Sequence, residues 1–174
     1  MSEHVKSLIS DSILYNLKKI IAGNTIWTPN GNYTFKQTLR EVTDIIKDAE
    51  NFTEFPSCNV IYGKERCDNA DMNGILQVNG TNRQILENTF ELFLHIFAKA
   101  ENQRLTLEQL LSDVQALFGN NPQLIGSTGN AEAFTILYSE SEPFLLYGLK
   151  YNCALEIKFI VHYRQRREDP TQKI

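Results

Sequence analysis

The chain has 174 residues, of which 42% are hydrophobic and 22% are charged, and its formal net charge at pH 7 is −4. This composition excludes global disorder and allows one domain with a sizeable core. The negative charge argues against attraction of the whole surface to nucleic acid or to acidic membranes, although a local basic patch is still compatible with it. Neither a signal peptide nor an apolar run long enough to cross a membrane is visible, so we expect no secretion and no membrane partner.

The chain opens with a predicted helix. Apolar residues from Val5 to Ile21 recur at the spacing of an amphipathic helix, and Gly23 supplies a stop signal. Residues 28–32 contain proline, asparagine and glycine and therefore predict a turn. Residues 33–47 fit either a helix face or a strand; we favour the strand.

Short extended segments and loops follow this helix. Residues 48–55 read as a loop, and 58–62 form a β-rich run that ends at a glycine. The polar residues 68–73 predict another loop, which leads into a strand at 74–78. Residues 90–98 alternate as a strand and also fit a helix, and their aromatic enrichment favours a long strand.

The clearest predicted helix begins at Thr106. The run Thr106-Leu107-Glu108-Gln109 has the spacing of a capping box, and an apolar stripe continues to Gly119, which ends the helix. Residues 133–139 then predict a strand, and residues 140–143 predict the turn that leads into the last strand.

The last strand is the most informative pattern in the chain. From residue 149 to residue 164, apolar side chains alternate with mostly polar ones, as in a strand that lies on a core. At about 3.3 Å per residue this strand runs roughly 50 Å, which is far longer than an ordinary strand. The element order predicts one α+β domain over 1–174, with a mostly antiparallel sheet, two main helices on one face and a basic C-terminal tail from about residue 164 to 174.

The residues that usually carry catalysis or bind metals are scattered. The histidines are His4, His95 and His162. The cysteines are Cys58, Cys67 and Cys153. None of these residues has the spacing of a zinc site or of a nucleophile with its base, so we expect no enzyme, no metal and no cofactor. Cys58 and Cys67 bracket a predicted turn and could approach each other, but reduced thiols in a cytoplasmic setting are the simpler interpretation.

The order of elements and one short motif are similar to a known family. The motif is the proline-initiated β run Phe55-Pro56-Ser57-Cys58-Asn59-Val60-Ile61-Tyr62-Gly63-Lys64-Glu65. A helix and an extended segment precede it, and a long apolar strand, a helix and a final strand with aromatic and basic residues follow. Over about residues 4 to 167 this layout resembles the tail-terminator proteins (tail-completion, minor tail protein U-like) of long-tailed bacteriophages.

The resemblance implies a structural virion protein. Members of that family cap the finished tail tube as a ring, commonly of six copies, and so end tail polymerisation and join tail to head. The implied partners are other copies of the chain, the tail tube protein and a head–tail connector or neck protein, in the virion after assembly in the host cytoplasm. Residues 24–51 and 68–82 depart from the family layout, so another phage neck or head–tail joining protein stays open as an alternative. A monomeric protein-binding module is a further one.

A closed ring needs two different complementary surfaces on each subunit. We expect Ile160, an aliphatic residue on the otherwise polar face of the last strand, to contribute to a subunit or tube contact, together with Glu140 and Pro143 in the predicted turn. Arg164, Arg166 and Arg167 have two readings. They are either a solvated end that keeps the strand from aggregating or a contact to an acidic partner surface or to DNA in the lumen.

Overall fold

The computed structural model describes residues 5–67, 75–78, 81–133, 135–144 and 150–166. These residues form the α+β fold that the sequence predicts, with two α-helices and a mostly antiparallel sheet. In chain order the elements are α1 (Val5–Leu17), β1 (Thr25–Thr28), β2 (Gly31–Thr34), β3 (Glu41–Thr43), β4 (Ser57–Cys67), β5 (Ile75–Val78), β6 (Thr81–Ala98), α2 (Gln103–Asn120), β7 (Thr135–Phe144) and β8 (Cys153–Arg166). One turn of 3-10 helix, Ala49–Asn51, precedes β4.

Five strands form the main sheet in the order β3-β4-β6-β8-β7, and β5 pairs with the first residues of β6. The short β3 runs parallel to β4, and every other pair in the sheet is antiparallel. The long strands β6 and β8 lie side by side at its centre, from the pair Ile85–Arg166 to the pair Ala98–Cys153. A separate two-stranded hairpin is formed by β1 and β2.

Alternation along the central strands determines which side chains enter the core. Leu92 of β6 lies opposite Phe159 of β8, and Leu94 lies opposite Ile157; all four are almost completely buried. They share one core cluster with the apolar stripes of α1 and α2, so both helices pack on the same face of the sheet. Burying each such side chain contributes roughly 1.5–3 kcal/mol, which makes this layer the main source of stability.

The N-terminus of α2 differs from the prediction. The helix begins one turn earlier than Thr106, and its N-cap is Asn102, whose side chain accepts a hydrogen bond from the backbone N–H of Leu105 at 3.1 Å. The ion pair between Arg104 and Glu108, at 2.8 Å, supports the added turn at i,i+4 spacing. The capping-box prediction at Thr106 is therefore wrong. The predicted end at Gly119 is also one residue early, because the helix continues to Asn120.

The predicted turn at 140–143 is wrong as well. Glu140 and Pro143 lie inside β7, which pairs with β8 as far as Phe144. At the other end of the chain, β8 continues to Arg166, so the first residues assigned to the basic tail still pair with β6. The loop predicted at 68–73 lies outside the described residues.

The segment predicted as one strand over 33–47 is mostly irregular. Only Gly31–Thr34 and Glu41–Thr43 are strands, and the chain between them is tied to α2 through Asp113. This buried carboxylate accepts hydrogen bonds from the backbone N–H groups of Lys36 and Gln37 and from the hydroxyl of Tyr33. Because a buried charge is costly unless it is hydrogen-bonded, Asp113 fixes this segment against the helix.

Candidate functional site

The face of the main sheet opposite α1 and α2, here called the outer face, carries a ladder of ion pairs. Lys158 of β8 contacts Glu91 at 2.9 Å and Glu140 at 3.6 Å. The hydrogen bond from Lys158 lowers the pKa of the Glu91 carboxyl. Further along the same face, His95 Nε2 lies 2.6 Å from Glu156. These pairs give the centre of the outer face charges of both signs.

Apolar side chains flank this charged centre on both sides. Ile61 of β4 lies opposite Phe93 of β6, and Leu137 of β7 lies opposite Ile160 of β8. Leu137 is exposed, whereas Ile160 is half-buried at the edge of a cavity of about 180 Å³ that Lys64 also lines.

One end of the outer face is covered by the chain itself. Phe52 and Tyr151 pack against Phe97 of β6, with ring centroids 5.9 and 5.2 Å apart, and form a second small core. Phe144 at the end of β7 contacts the same ring edge-on. The part of the outer face left for a partner therefore begins beyond this aromatic cluster, at His95.

The predicted contact residues do not share one surface. Ile160 and Glu140 lie on the outer face, where Glu140 pairs with Lys158. Pro143 lies opposite Leu155, a core residue, and so belongs to the helix side of the sheet. The structure thus brings Ile160 and Glu140 together and separates Pro143 from them.

The three predicted arginine contacts have different positions. Arg164 is half-buried on the outer face and makes an ion pair of 2.6 Å with Glu87. Arg166 is described only as the last residue of β8, and Arg167 lies outside the described residues. Among the three, the structure therefore defines a charge partner for Arg164 alone.

The cysteines also lie apart from one another. Cys58 and Cys67 occupy opposite ends of β4, about 30 Å apart at the rise of a strand. Cys58 is buried, and burial raises the pKa of its thiol. The approach of these two residues that the sequence allowed does not occur, and neither cysteine forms a disulfide bond.

The outer edge of β7 is protected against pairing with another strand. Near its start, the backbone N–H of Ile136 donates to the carbonyl of Pro122 at 2.8 Å. A bulge interrupts the register between Tyr138 and Glu140, and Pro143 has no N–H to donate. Proteins use these same devices to stop edge-to-edge association, so a partner on this side must bind through side chains.

Large apolar side chains are exposed at both ends of the strand order. Ile45 and Ile46, which follow β3, are 73% and 71% exposed. Leu137 and Tyr138 of β7, at the opposite end, are about half exposed. Because successive strand side chains alternate, Leu137 belongs to the outer face and Tyr138 to the helix side of the sheet.

The hairpin of β1 and β2 carries Trp27, which at 73% has the highest exposed fraction among the aromatic residues that the structure describes. Its neighbour Ile26 takes the inward position of the strand and packs on the core, so alternation directs Trp27 to solvent. The hydroxyl of Tyr33 donates to Asp113 of α2 at 2.8 Å and holds the hairpin in place. Burial raises the pKa of Tyr33, and Asp113 raises it further.

An apolar groove of about 400 Å³ lies on the helix side of the sheet, between the first half of α2 and the ends of β7 and β8. Leu107 and Leu111 form one wall, and Pro143 and Leu155 belong to the other. The ion pair of Arg104 and Glu108 lies at its rim. Sequence reasoning missed both this groove, whose walls are distant in sequence, and Trp27.

Among the described residues, no three histidine, cysteine, aspartate or glutamate side chains come close enough together to hold a metal ion. Neither α1 nor α2, the helices in the described ranges, is long and apolar enough to cross a membrane. The described residues form a two-layer α+β protein with several exposed apolar and charged regions. Comparison with known proteins finds no family model and no curated sequence that matches the chain.

Proposed function

We propose that this chain is a structural virion protein that caps the tail tube of a long-tailed bacteriophage as a closed ring. The ring ends tail polymerisation and presents a surface to a head–tail connector or neck protein. The layout of the chain and its Phe55–Glu65 motif are the reason for naming this family. Six copies is the ring size that the resemblance implies.

One structural observation carries the proposal. Exposed apolar residues lie at the two opposite ends of the strand order, Ile45 and Ile46 beside β3 and, on the two faces of β7, Leu137 and Tyr138. A head-to-tail ring requires each subunit to offer one surface to the copy before it and a different surface to the copy after it. Two apolar regions on opposite sides of one domain fit that requirement better than they fit a module with a single binding patch.

The outer face offers a third surface, suited to a different partner. There Lys158 and Glu91 form an ion pair near the aliphatic side chain of Ile160, so this face offers the tail tube both charged and apolar groups. We infer that Ile160 and Glu140 contact the tube or a neighbouring subunit. Replacing Ile160 with aspartate should weaken assembly without unfolding the chain, because Ile160 is only half-buried.

The arginines at the end of β8 are proposed contacts to an acidic partner surface or to DNA in the lumen. Arg164 reaches this position already paired with Glu87, so its charge is partly compensated. A charge-reversed Arg164→Glu variant should bind the partner less tightly at low salt, and the difference should shrink as salt rises, because salt screens exposed charges. Equal binding of both proteins at low salt would remove Arg164 from the interface.

The deciding experiment images the purified protein by negative stain over a concentration series, with light scattering to count subunits, and then adds it to growing tail tubes. Capped tubes should stop lengthening and carry a ring at one end. A double Ile45→Ser, Ile46→Ser variant should lose this activity, while Leu105→Ser, which removes an exposed leucine from α2, should retain it. Tubes that grow unchanged at saturating protein would refute the proposal and favour the monomeric binding module.

A further inference from the structure

We propose that the groove beside α2 binds Trp27 of a second copy of this chain. The proposal specifies one contact within the ring suggested above, but its geometry and its test stand without the tail tube. The proposed occupant of the groove is the indole ring on the β1–β2 hairpin of the neighbouring copy.

Chemistry matches the two partners. The groove is lined mainly by apolar side chains and, at about 400 Å³, is large enough for an indole ring. Trp27 is a large apolar group held in water, and burying it against leucine walls would recover the hydrophobic stabilisation that its exposure forgoes. Tryptophan is also the residue type most enriched among the anchors of protein interfaces.

The polar rim of the groove suits the polar atom of the indole. Glu108 lies at the rim and its carboxylate can accept a hydrogen bond from the indole Nε1–H. Arg104 is held beside Glu108 at 2.8 Å, so its guanidinium can lie over the ring face. An apolar floor with a charged rim is therefore complementary to tryptophan in particular.

The hairpin and the groove lie on different sides of α2, so the contact between two copies is head-to-tail. Successive helix residues are rotated by about 100°, so Leu107 and Leu111, which line the groove, lie about 200° around α2 from Gln109. Gln109 and Asp113 bond the segment that carries the hairpin, on the other flank of the helix. The hairpin of one copy therefore cannot reach the groove of the same copy. Two copies joined by one such contact leave one hairpin and one groove free to bind further copies, as the growth of a chain or a ring requires.

The hairpin is prepared for binding before it meets a partner. Ile26 and Tyr33 pack on the core, and the Tyr33–Asp113 hydrogen bond of 2.8 Å fixes the hairpin to α2. Because Trp27 is presented on a fixed support, little backbone freedom is lost on binding. The protected edge of β7 also supports the proposal, because a copy that approaches this side cannot pair its backbone with β7 and must insert a side chain.

The experiment uses the single tryptophan of the chain as its own probe. Emission of the full-length protein should shift to the blue, and quenching by acrylamide should fall severalfold, as concentration rises to about 1 mM, where even weak contacts are populated. Trp27→Ala should reduce association at least tenfold, whereas Tyr15→Ala, which removes another exposed aromatic side chain, should not. Emission that stays fully solvent-exposed over the whole range overturns the proposal.

Mixing a variant that lacks Trp27 with a variant whose groove is blocked tests which surface of each copy makes the contact. Leu107→Arg should block the groove and Leu105→Arg, the matched change on an exposed leucine of the same helix, should not. Should Leu107→Arg unfold the chain, Ser141→Trp fills the groove from β7 instead, and the complementation is then read by light scattering alone. Trp27→Ala and Leu107→Arg should each be monomeric, and mixing them should give one-to-one pairs in which the remaining Trp27 emission shifts to the blue.

The outcomes separate this inference from the proposed function. A mixture without pairs and without a shift overturns the Trp27 contact. Rings that still form from the Trp27→Ala variant would also overturn the Trp27 contact, but they would leave the tail-terminator proposal standing. Conversely, pairs that form as expected while wild-type protein fails to cap tubes would support this contact and refute the proposed function.

Discussion

Replacing Asp113 tests how the hairpin and the following loop are held to α2. The buried carboxylate accepts a hydrogen bond of 2.8 Å from the Tyr33 hydroxyl, bonds of 3.0 and 3.1 Å from the backbone N–H of Lys36, and one of 2.8 Å from that of Gln37. Hydrogen bonds to a charged group contribute about 1.5–3 kcal/mol each. Three donors at the lower end of this range give an expected loss of about 4 kcal/mol for Asp113→Ala.

Such a loss is a large share of the roughly 5–15 kcal/mol that stabilises a domain. Urea unfolding followed by circular dichroism measures it directly. Asp113→Asn keeps one acceptor oxygen but turns an N–H₂ group towards two backbone donors, so we expect about half the loss. Tyr33→Phe should cost about 1.5 kcal/mol, and Glu108→Gln on the exposed side of the same helix should cost almost nothing.

Amide hydrogen exchange adds a local readout. Without the carboxylate, the amides of Lys36 and Gln37 should exchange faster than those of the β6–β8 ladder. An Asp113→Ala protein within 1 kcal/mol of wild type (about one quarter of the expected loss), with both amides still protected, would refute this account of the segment.

Three further predictions concern stability. Asn102→Ala should cost about 1 kcal/mol as a lost N-cap, whereas Thr106→Ala inside the first turn should cost much less. Gly63→Ala should cost about 1–3 kcal/mol, because its Cβ would lie 2.6 Å from a phenylalanine ring of β6; Gly119→Ala, with open space around it in a helix, should instead stabilise by about 0.5–1 kcal/mol. Burial first and then Glu65 raise the pKa of Tyr163, so the stability it supplies is present below about pH 10 and is lost as the pH rises above that value.

Thermal and urea unfolding check all three. A larger loss for Thr106→Ala than for Asn102→Ala would restore the capping box. A neutral Gly63→Ala would mean that the neighbouring phenylalanine ring of β6 can move away from the added Cβ. For Tyr163, wild type and Tyr163→Phe are compared at pH 8 and pH 11 (about one unit above the usual tyrosine pKa); an equal loss of stability in both proteins would show that other groups govern alkaline unfolding.

Strong alternation made the core of the sheet predictable. The pattern over 149–164 and 90–98 identified the two central strands, because every second side chain had to enter the same core. Their ends differ from the prediction, because β6 begins at Thr81 and β8 begins at Cys153 and continues to Arg166. The neighbouring β7 continues through Glu140–Pro143, where turn-like residues suggest a reversal. Cross-strand pairing with β8 outweighed local turn propensity there.

Local signals failed where two of them competed. Asn102 and Thr106 are both good N-caps, and only the packing of the first turn selects the earlier one. The strand predicted over 33–47 failed because Asp113, 66 residues after Lys47 in the sequence, determines the path of that segment. The walls of the groove beside α2 come from a helix and two strands that meet only in the folded chain, so no short sequence motif predicts the groove.

Trp27 could have been found from the sequence with one further step. The residues before the predicted turn at 28–32 alternate, and placing Ile26 inside places Trp27 outside. Ile160 is a candidate contact because an aliphatic residue on a polar strand face is a visible exception. Glu140 and Pro143 are candidates only through the predicted turn, and the structure replaces that turn with a strand.

The strand β6 also has a mechanical consequence. Its first four residues pair with β5, and the next fourteen pair with β8 inside the main sheet. The hydrogen bonds of an antiparallel ladder run perpendicular to the strands. A pull on the β5–β6 hairpin along the strand direction therefore strains all fourteen residue pairs at once, in shear, instead of opening them one after another. Tension applied at that hairpin would be resisted along the whole length of the β6–β8 ladder. One end of the molecule can therefore transmit force to the other while the core stays intact.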